Sequence, residues 1–248
     1  MGLALLLGSL LIAVGPSAIF FVITVSRRPY LLVVSLLGLL QGIVAFLVGG
    51  IVYSIWNIWT TPMPLVILIL DILLVEILRP FVYKLIVLAC NRLNEVEIPL
   101  SITVPSELYK LSLCVGMGIG FINVLTIALV PLTSAGANAD YYIPTCQSIP
   151  IYILIAIEAF CIMPMHVVWT YLTMRDYSKH SIITPILICI WHIIEGVVSQ
   201  LNTINNGCIF VLAFFLISAI VCILMMIRFV TTSCKLVRPL KKAADRKS

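Results

Sequence analysis

Seven ionisable side chains lie inside stretches of the chain that are otherwise apolar, where an uncompensated charge is expensive. They are Asp71, Glu76, Arg79, Glu158, His166, His192 and Glu195. Glu76 and Arg79 are three residues apart, so on a helix they share one face within reach of an ion pair. Pro80 follows directly, and a proline inside a helix leaves a carbonyl of the preceding turn without its amide donor. The spacing predicts a neutralised pair beside a kinked, polar segment.

These acids and histidines permit two kinds of chemistry, and the residue types alone do not separate them. His192 and Glu195 repeat the three-residue spacing, and His166 lies in a different apolar stretch. In one interpretation the polar groups hydrogen-bond between helices, each contact contributing about 0.6 kcal/mol. In the other, Glu76 is a base that activates water, and the histidines stabilise an oxyanion or hold a metal. An aspartyl-protease pair is not supplied, since Asp71 is the only aspartate inside a stretch.

The elements that must position these groups are membrane-spanning helices. Hydrophobic residues make up 62% of the 248-residue chain and charged residues 10%, and the mean hydropathy of +1.20 is far outside the range of soluble proteins. A helix needs about 20 residues to cross a hydrocarbon core. The sequence therefore predicts an all-α, polytopic membrane domain over residues 1–230. Its seven expected spans are approximately 3–25, 30–56, 63–90, 107–132, 147–173, 181–201 and 207–230.

The distribution of Lys and Arg predicts the orientation. Basic residues follow the first, third, fifth and last stretches, and the gaps at 57–62, 133–146 and 202–206 contain none. Because cytosolic loops carry the excess of basic residues, the N-terminus is expected to be lumenal or extracellular and the C-terminus cytosolic. The first stretch is expected to be a retained helix, since no basic segment precedes it and Arg27 and Arg28 follow it. The basic tail, 231–248, is expected to be disordered or to lie on anionic headgroups.

A row of small residues in the fourth stretch predicts close helix packing. Ser112, Gly116 and Gly120 are spaced by four residues, which places them on one helix face where another backbone can approach. Gly38 and Gly42 have the same spacing in the second stretch. The docked helix can belong to this chain or to a partner, and the two rows can also pack against each other.

Two of the eight cysteines are candidates for a disulfide. Cys146 and Cys208 both fall at lumenal ends of predicted spans, in a compartment whose oxidising conditions permit a bond. The sequence leaves open whether the two residues meet in space. Cysteines inside the stretches are expected to be small apolar packing residues, and the spacing of the eight is not that of a metal site.

Several of these motifs, in this order and spacing, resemble the anterior-pharynx-defective (Aph) subunit family of the γ-secretase complex. The resemblance covers nearly the whole chain. In the first stretch it rests on Met1-Gly2, Gly8, Gly15-Pro16, Ile23-Thr24-Val25 and Pro29. Further along it rests on Glu76-x-x-Arg79 with Tyr83-Lys84-Leu85, on Tyr109 with Ser112, Gly116 and Gly120, on His166 with Trp169, and on His192 with Asn202. Three residues depart from the family's pattern: Ser112, which replaces a glycine, and the acids Glu158 and Glu195.

The resemblance implies a non-catalytic scaffold that assembles in the membrane with presenilin, nicastrin and presenilin enhancer. It implies that the row of Ser112, Gly116 and Gly120 serves assembly. Glu76, Arg79, His166 and His192 would form a structural cluster, and the catalytic aspartates would belong to presenilin. The substrates would be type I membrane proteins such as Notch receptors and amyloid precursor protein. The complex would reside in the endoplasmic reticulum and Golgi and reach the plasma membrane and endosomes, and no cofactor, metal or nucleic acid is implied.

A second resemblance stays open. A Glu-x-x-Arg helix followed by two helices that each carry a histidine also resembles the membrane endopeptidases that trim prenylated CaaX proteins. In that case Glu76, His166 and His192 would form an active site. Those enzymes usually carry a glutamate pair before the arginine, and Val75 stands at that place here. A seven-span receptor or transporter is disfavoured because no inverted repeat is evident.

Overall fold

Seven long α-helices dominate the computed structural model, which describes residues 2–26, 28–59, 64–95, 105–134, 142–143 and 145–244. A 3₁₀ turn at Gln200–Thr203 connects the last two helices, and an antiparallel hairpin of β1 (Tyr142–Ile143) and β2 (Cys146–Pro150) precedes the fifth. The predicted helical class is confirmed, and the hairpin is an addition that the sequence does not predict. The helices are α1 (Gly2–Thr24), α2 (Pro29–Trp59), α3 (Pro64–Glu95), α4 (Pro105–Ser134), α5 (Ile151–Tyr177), α6 (Ile183–Ser199) and α7 (Gly207–Ala244).

Proline marks where several of these helices begin. Pro29, Pro64 and Pro105 are the first residues of α2, α3 and α4, at a position where the helix does not need the missing amide hydrogen. Pro150 directly precedes α5 in an extended conformation, with φ −58° and ψ 136°. Pro80 lies inside α3, which continues past it. Local chemistry therefore sets most of the helix starts.

α4 is the central helix of the bundle. Every residue from Leu111 to Gly120 is buried, because α2 packs along one side of α4 and α5 along the other. Glycines permit both contacts: a Cβ on Gly118 would collide with the backbone of Gly38 in α2, and a Cβ on Gly116 would lie 2.5 Å from Val167 Cα in α5. α5 also packs on α1 and α7, and α3 packs on α2 and α6. This arrangement brings the middles of α3, α5 and α6 together.

Within the described residues, five helices contain segments long and apolar enough to cross a membrane. α1 contributes a shorter apolar segment, Leu7–Ile23. α3 is 32 residues long, but Asp71, Glu76, Arg79 and Lys84 interrupt its apolar character. The five segments are Pro29–Ile58, Glu107–Ile127, Ile151–Tyr177, Ile183–Thr203 and Gly207–Phe229.

Two boundaries differ from those that the sequence predicts. The fifth span is expected at 147–173, but α5 begins at Ile151 because Cys146–Pro150 forms β2. A disordered or interfacial tail is expected from residue 231; the backbone of α7 is helical through Ala244 rather than disordered, and the interfacial placement stays a prediction. The helix therefore extends beyond its apolar part. Residues 245–248 lie outside the described part of the chain.

Candidate functional site

An ion pair in the middle of α3 is the centre of the candidate site. Glu76 Oε2 lies 3.1 Å from Arg79 Nε, as the three-residue spacing predicts. The other carboxylate oxygen, Glu76 Oε1, lies 2.8 Å from His192 Nδ1 of α6. Because a carboxylate only accepts hydrogen bonds, His192 carries its proton on Nδ1 and donates to Glu76. Glu76 therefore links α3 to α6, and both of its oxygens are engaged.

Arg79 extends the network from α3 to α5. Its guanidinium nitrogens lie 3.3 Å from His166 Nδ1 and 3.4 Å from Thr170 Oγ1. A guanidinium has no acceptor, so His166 accepts at Nδ1, carries its proton on Nε2 and is neutral. Arg79 is only 2% exposed, and such complete burial of a cation requires the compensating charge of Glu76. We call Glu76, Arg79, His166 and His192 the polar cluster.

Aromatic contacts hold both imidazoles in place. The rings of His166 and His192 meet edge-on with 5.2 Å between centroids. The Trp169 ring lies 5.3 Å from the ring of His166 and 4.7 Å from that of His192. Edge-on and tilted arrangements at these separations are favourable for aromatic rings. Packing as well as hydrogen bonding therefore restricts the orientation of the polar cluster.

A cavity of about 670 Å³ lies beside the polar cluster, within the range of about 300–1,000 Å³ typical of small-molecule sites. His166, His192 and Trp169 form part of its wall, whereas Glu76 and Arg79 do not line it. Helices α2 to α7 and the 3₁₀ turn all contribute to the lining. Its acidic members, one from each of α3, α5 and α6, are Asp71, Glu158 and Glu195.

The small-residue row of α4 is occupied by α5 of the same chain. Besides the close approach of Gly116 to Val167, a Cβ on Gly120 would lie 2.6 Å from the Met163 sulfur. Ser112 is fully buried, and its hydroxyl donates to the Leu108 carbonyl oxygen at 2.7 Å. The serine that departs from the glycine pattern is thus satisfied within its own helix.

The second row does not pack against the first. A Cβ on Gly38 would collide with the backbone of Val115, and one on Gly42 would lie 2.9 Å from Ile122 Cβ. Gly38 and Gly42 therefore contact α4 away from the face that α5 covers. α4 uses different small residues for each neighbour.

Comparison with known proteins identifies the family. The family model described as Aph-1 protein matches residues 4–233. The chain belongs to the Aph-1 family. A relative named Gamma-secretase subunit APH1-like, from Arabidopsis thaliana, is 25% identical over 218 residues, which cover 82% of this chain and 83% of the relative. The resemblance inferred from the motifs is confirmed, and the matched region contains the polar cluster, the cavity and the glycine row of this Aph-1 chain.

Two further acids, Glu158 and Glu195, are buried in the Aph-1 chain with hydrogen-bond partners. Glu158 is 8% exposed and Glu195 is 3% exposed. Asn202 Nδ2 donates to Glu158 Oε1 at 3.0 Å, and Trp191 Nε1 donates to Glu195 Oε1 at 2.6 Å. Glu158 thereby ties α5 to the 3₁₀ turn, and Glu195, which also hydrogen-bonds Ser218, ties α6 to α7. Neither acid joins the polar cluster.

Asp71 also stands apart from the polar cluster. It lies against Gly49 of α2, and its Oδ1 is buried without a hydrogen-bond partner among the described residues. Within the same residues, no group of three or more His, Cys, Asp or Glu side chains is placed to hold a metal ion. The ionisable groups predicted from sequence thus divide into one interhelical cluster and three separate acids.

The two candidate cysteines are bonded in this Aph-1 chain. Cys146 of β2 and Cys208 of α7 form a disulfide with their Cα atoms 6.0 Å apart, which resolves the alternative that the sequence leaves open. The described cysteines that remain free are Cys90, Cys114, Cys161, Cys189 and Cys222.

Sequence reasoning missed some of the residues that complete the site. Thr170, a partner of Arg79, lies four residues after His166. Trp191, a partner of Glu195, lies four residues before Glu195. Residues four apart share a helix face, so this spacing is a signal that could have indicated both. Thr145, which contacts the 3₁₀ turn, has no such local signal.

Proposed function

We propose that this Aph-1 chain is the non-catalytic scaffold subunit of a γ-secretase complex. The observation that carries the proposal is the polar cluster, in which both oxygens of Glu76 are engaged and neither Glu76 nor Arg79 lines the cavity. A buried ion pair shared by three helices suits a helix scaffold, because it favours one packing arrangement over others. Family membership and the name of the Arabidopsis relative support the assignment to γ-secretase.

The proposal includes seven spans, with a lumenal N-terminus and a cytosolic C-terminus. α1 and α3 would span the membrane in addition to the five helices that are long and apolar enough to do so by themselves. α3 can cross the bilayer because Glu76 neutralises Arg79 and because a long side chain such as that of Lys84 can extend toward the interface. The cytosolic side would then carry Arg28, Arg175 and Lys179, as the excess of basic residues requires.

The partners that this role requires are presenilin, nicastrin and presenilin enhancer, with presenilin supplying the catalytic aspartates. The substrates would be type I membrane proteins such as Notch receptors and amyloid precursor protein, cleaved in the Golgi, plasma membrane and endosomes after assembly in the endoplasmic reticulum. Gly116 and Gly120 would serve assembly indirectly. Since α5 already covers their face, they act by setting the position of α5 within the bundle.

The competing proposal is an endopeptidase of the CaaX-processing type, in which Glu76 would activate water beside a bound peptide. Glu76 contacts Arg79 and His192 instead and does not line the cavity, where a peptide and a water could bind. We expect the purified chain alone to show no cleavage of a prenylated peptide, with or without Glu76→Gln. Cleavage by the unchanged chain that Glu76→Gln abolishes would replace the scaffold proposal with the enzyme.

Affinity purification tests the scaffold proposal. The tagged chain is solubilised in digitonin, and co-purifying proteins are identified and quantified by mass spectrometry. We expect presenilin and nicastrin in near-stoichiometric amounts. A chain recovered alone, at its own mass, would contradict the proposal.

A matched pair of glycine variants controls for non-specific recovery. Gly116→Leu inserts a side chain where a Cβ already comes within 2.5 Å of Val167 Cα, whereas a Cβ on Gly50 would meet no atom within 4 Å. We expect Gly116→Leu to insert in the membrane but to recover several-fold less presenilin, because overpacking displaces α5. Gly50→Leu should recover the normal amount.

A further inference from the structure

The cavity lies toward one end of the helix bundle. Its lining comes from the middle of α2, at 42–46, from the second half of α4, at 122–127, and from the first halves of α3 and α5, at 68–75 and 151–162. His166 and Trp169 add lining from the middle of α5. Successive helices that run antiparallel bring these parts to the same end, which is lumenal in the proposed topology. The 3₁₀ turn lies at this end as well, and its residues Gln200 and Asn202 line the cavity. We call this end of the cavity its mouth, and the turn lies there.

Three hydrogen bonds hold the turn in that place. Thr145 Oγ1 donates to the Asn202 carbonyl oxygen at 2.6 Å, and the Asn206 amide donates to the Thr145 carbonyl oxygen at 2.8 Å. On the inner side, the Asn202 side-chain amide donates to Glu158 Oε1 at 3.0 Å. A continuous chain of contacts thus runs from the hairpin through the turn to an acid of the cavity wall. Individually, such bonds exchange readily with bonds to water.

The disulfide spans the same contact. Cys146 is the residue after Thr145, and Cys208 is two residues after Asn206. The bond joins positions 62 residues apart in sequence, so it is the covalent link between the hairpin and the segment that carries the turn. Both cysteines are 0% exposed. Gly207 adds a further close contact, since a Cβ there would collide with the Leu201 carbonyl oxygen.

We propose that the Cys146–Cys208 disulfide is a maturation lock on the mouth of the cavity. In the dithiol form the hairpin and the turn separate, and small water-soluble molecules enter the cavity. Closure is a thiol–disulfide exchange: an S–S bond forms between the two cysteines, and two electrons and two protons pass to a disulfide-bearing oxidant of the lumen, which leaves as a dithiol. Because both sulfurs are buried after closure, reductants do not reach them and the disulfide stays formed. The oxidation step rests on the proposed function and its topology, because it requires this end of the bundle to face the lumen. The effect of the disulfide on access to the cavity does not depend on that topology.

Thiol labelling of the full-length chain tests the lock. Ser199 lines the cavity next to the turn, and Ser199→Cys places a reporter thiol there. The chain is purified in digitonin, reacted with a charged, water-soluble maleimide, and the modified peptide is quantified over time by mass spectrometry. We expect the reporter to react about tenfold faster, or more, when Cys146→Ser and Cys208→Ser are combined with it, because the closed state then opens locally. Equal rates with and without the disulfide would overturn the proposal.

Two controls separate local opening from other effects. Cys90→Ser with Cys114→Ser removes two buried cysteines that do not line the cavity, and the reporter should keep its slow rate. A second reporter, Ser112→Cys, lies at a fully buried position in α4 and should stay unreactive after the disulfide is removed. Rapid reaction at position 112 would overturn the proposal, since the bond would then maintain the whole fold rather than the mouth.

Discussion

At the scale of single residues, burial determines what a charged pair contributes. Glu76–Arg79 and Glu107–Lys110 have the same three-residue spacing and both are in ion-pair contact. The side chains of the first pair are 7% and 2% exposed, and those of the second are 23% and 32% exposed. Water screens the second pair, so its contribution is small. In the first pair, loss of one partner leaves an uncompensated charge where solvation is poor.

The two glutamates therefore form a matched test. We expect Glu76→Gln to lower the free energy of unfolding in detergent by about 3–5 kcal/mol, because Arg79 loses its counter-charge. Glu107→Gln should lower it by about 1 kcal/mol or less. Thermal and denaturant unfolding of the purified chain, followed by circular dichroism, measures both. Similar losses for the two variants would show that Arg79 is compensated by something other than Glu76.

At the scale of the helices, α4 shows how small residues set distances between backbones. α2 and α5 both approach it closely, and they do so at different glycines, Gly118 and Gly116. The membrane supplies little hydrophobic driving force between helices, so close van der Waals contact provides much of the stabilisation. Because α5 carries His166 and Trp169, its distance from α4 also affects the position of the polar cluster relative to α3 and α6.

Replacing glycine by alanine should have opposite effects at two positions. Gly116→Ala is expected to lower the free energy of unfolding by about 1–3 kcal/mol, because its Cβ requires the α5 backbone to move. Gly50→Ala is expected to raise it by about 0.5–1 kcal/mol, because alanine favours the helix and meets no neighbour. The same unfolding measurement in detergent checks both signs. A stabilising effect of Gly116→Ala would show that α4 and α5 separate easily.

At the scale of the whole molecule, the proposed topology places the hairpin, the disulfide and the mouth of the cavity on the lumenal side. The polar cluster then lies deeper, between the cavity and the cytosolic half of α3. The basic residues of the loops after α1 and α5 lie at the opposite end. Charge distribution and disulfide chemistry are consistent with the same orientation.

Glycan mapping tests this orientation. The chain contains no Asn-x-Ser/Thr acceptor site, so any glycan must come from an inserted one. We expect an acceptor in a short Gly-Ser spacer to be glycosylated when it is inserted after residue 138 and to stay unmodified when it is placed after residue 248. The mobility shift removed by a glycosidase is the measurement. Glycosylation of the C-terminal insertion alone would reverse the topology.

The features that the sequence determines are those that depend on near neighbours along the chain. Apolar stretches predict the helices, because a stretch long enough to cross the hydrocarbon core is a local property of the sequence. The pairing of Glu76 with Arg79 follows from three-residue spacing, and the predicted orientation follows from where Lys and Arg fall. The motif order also predicts the Aph-1 family.

Only the tertiary structure decides which helices meet and where. Glu76 and His192 are 116 residues apart, and Arg79 and His166 are 87 apart, so no local rule pairs them. The sequence also leaves open whether the Gly116 face is covered by a helix of this chain or of a partner, and the structure shows that α5 covers it. The bond between Cys146 and Cys208 is likewise decided only by the tertiary structure. The physical reason is that helix packing is settled by the complementarity of whole faces, and a residue's neighbours across such a face are fixed only when all the helices are in place.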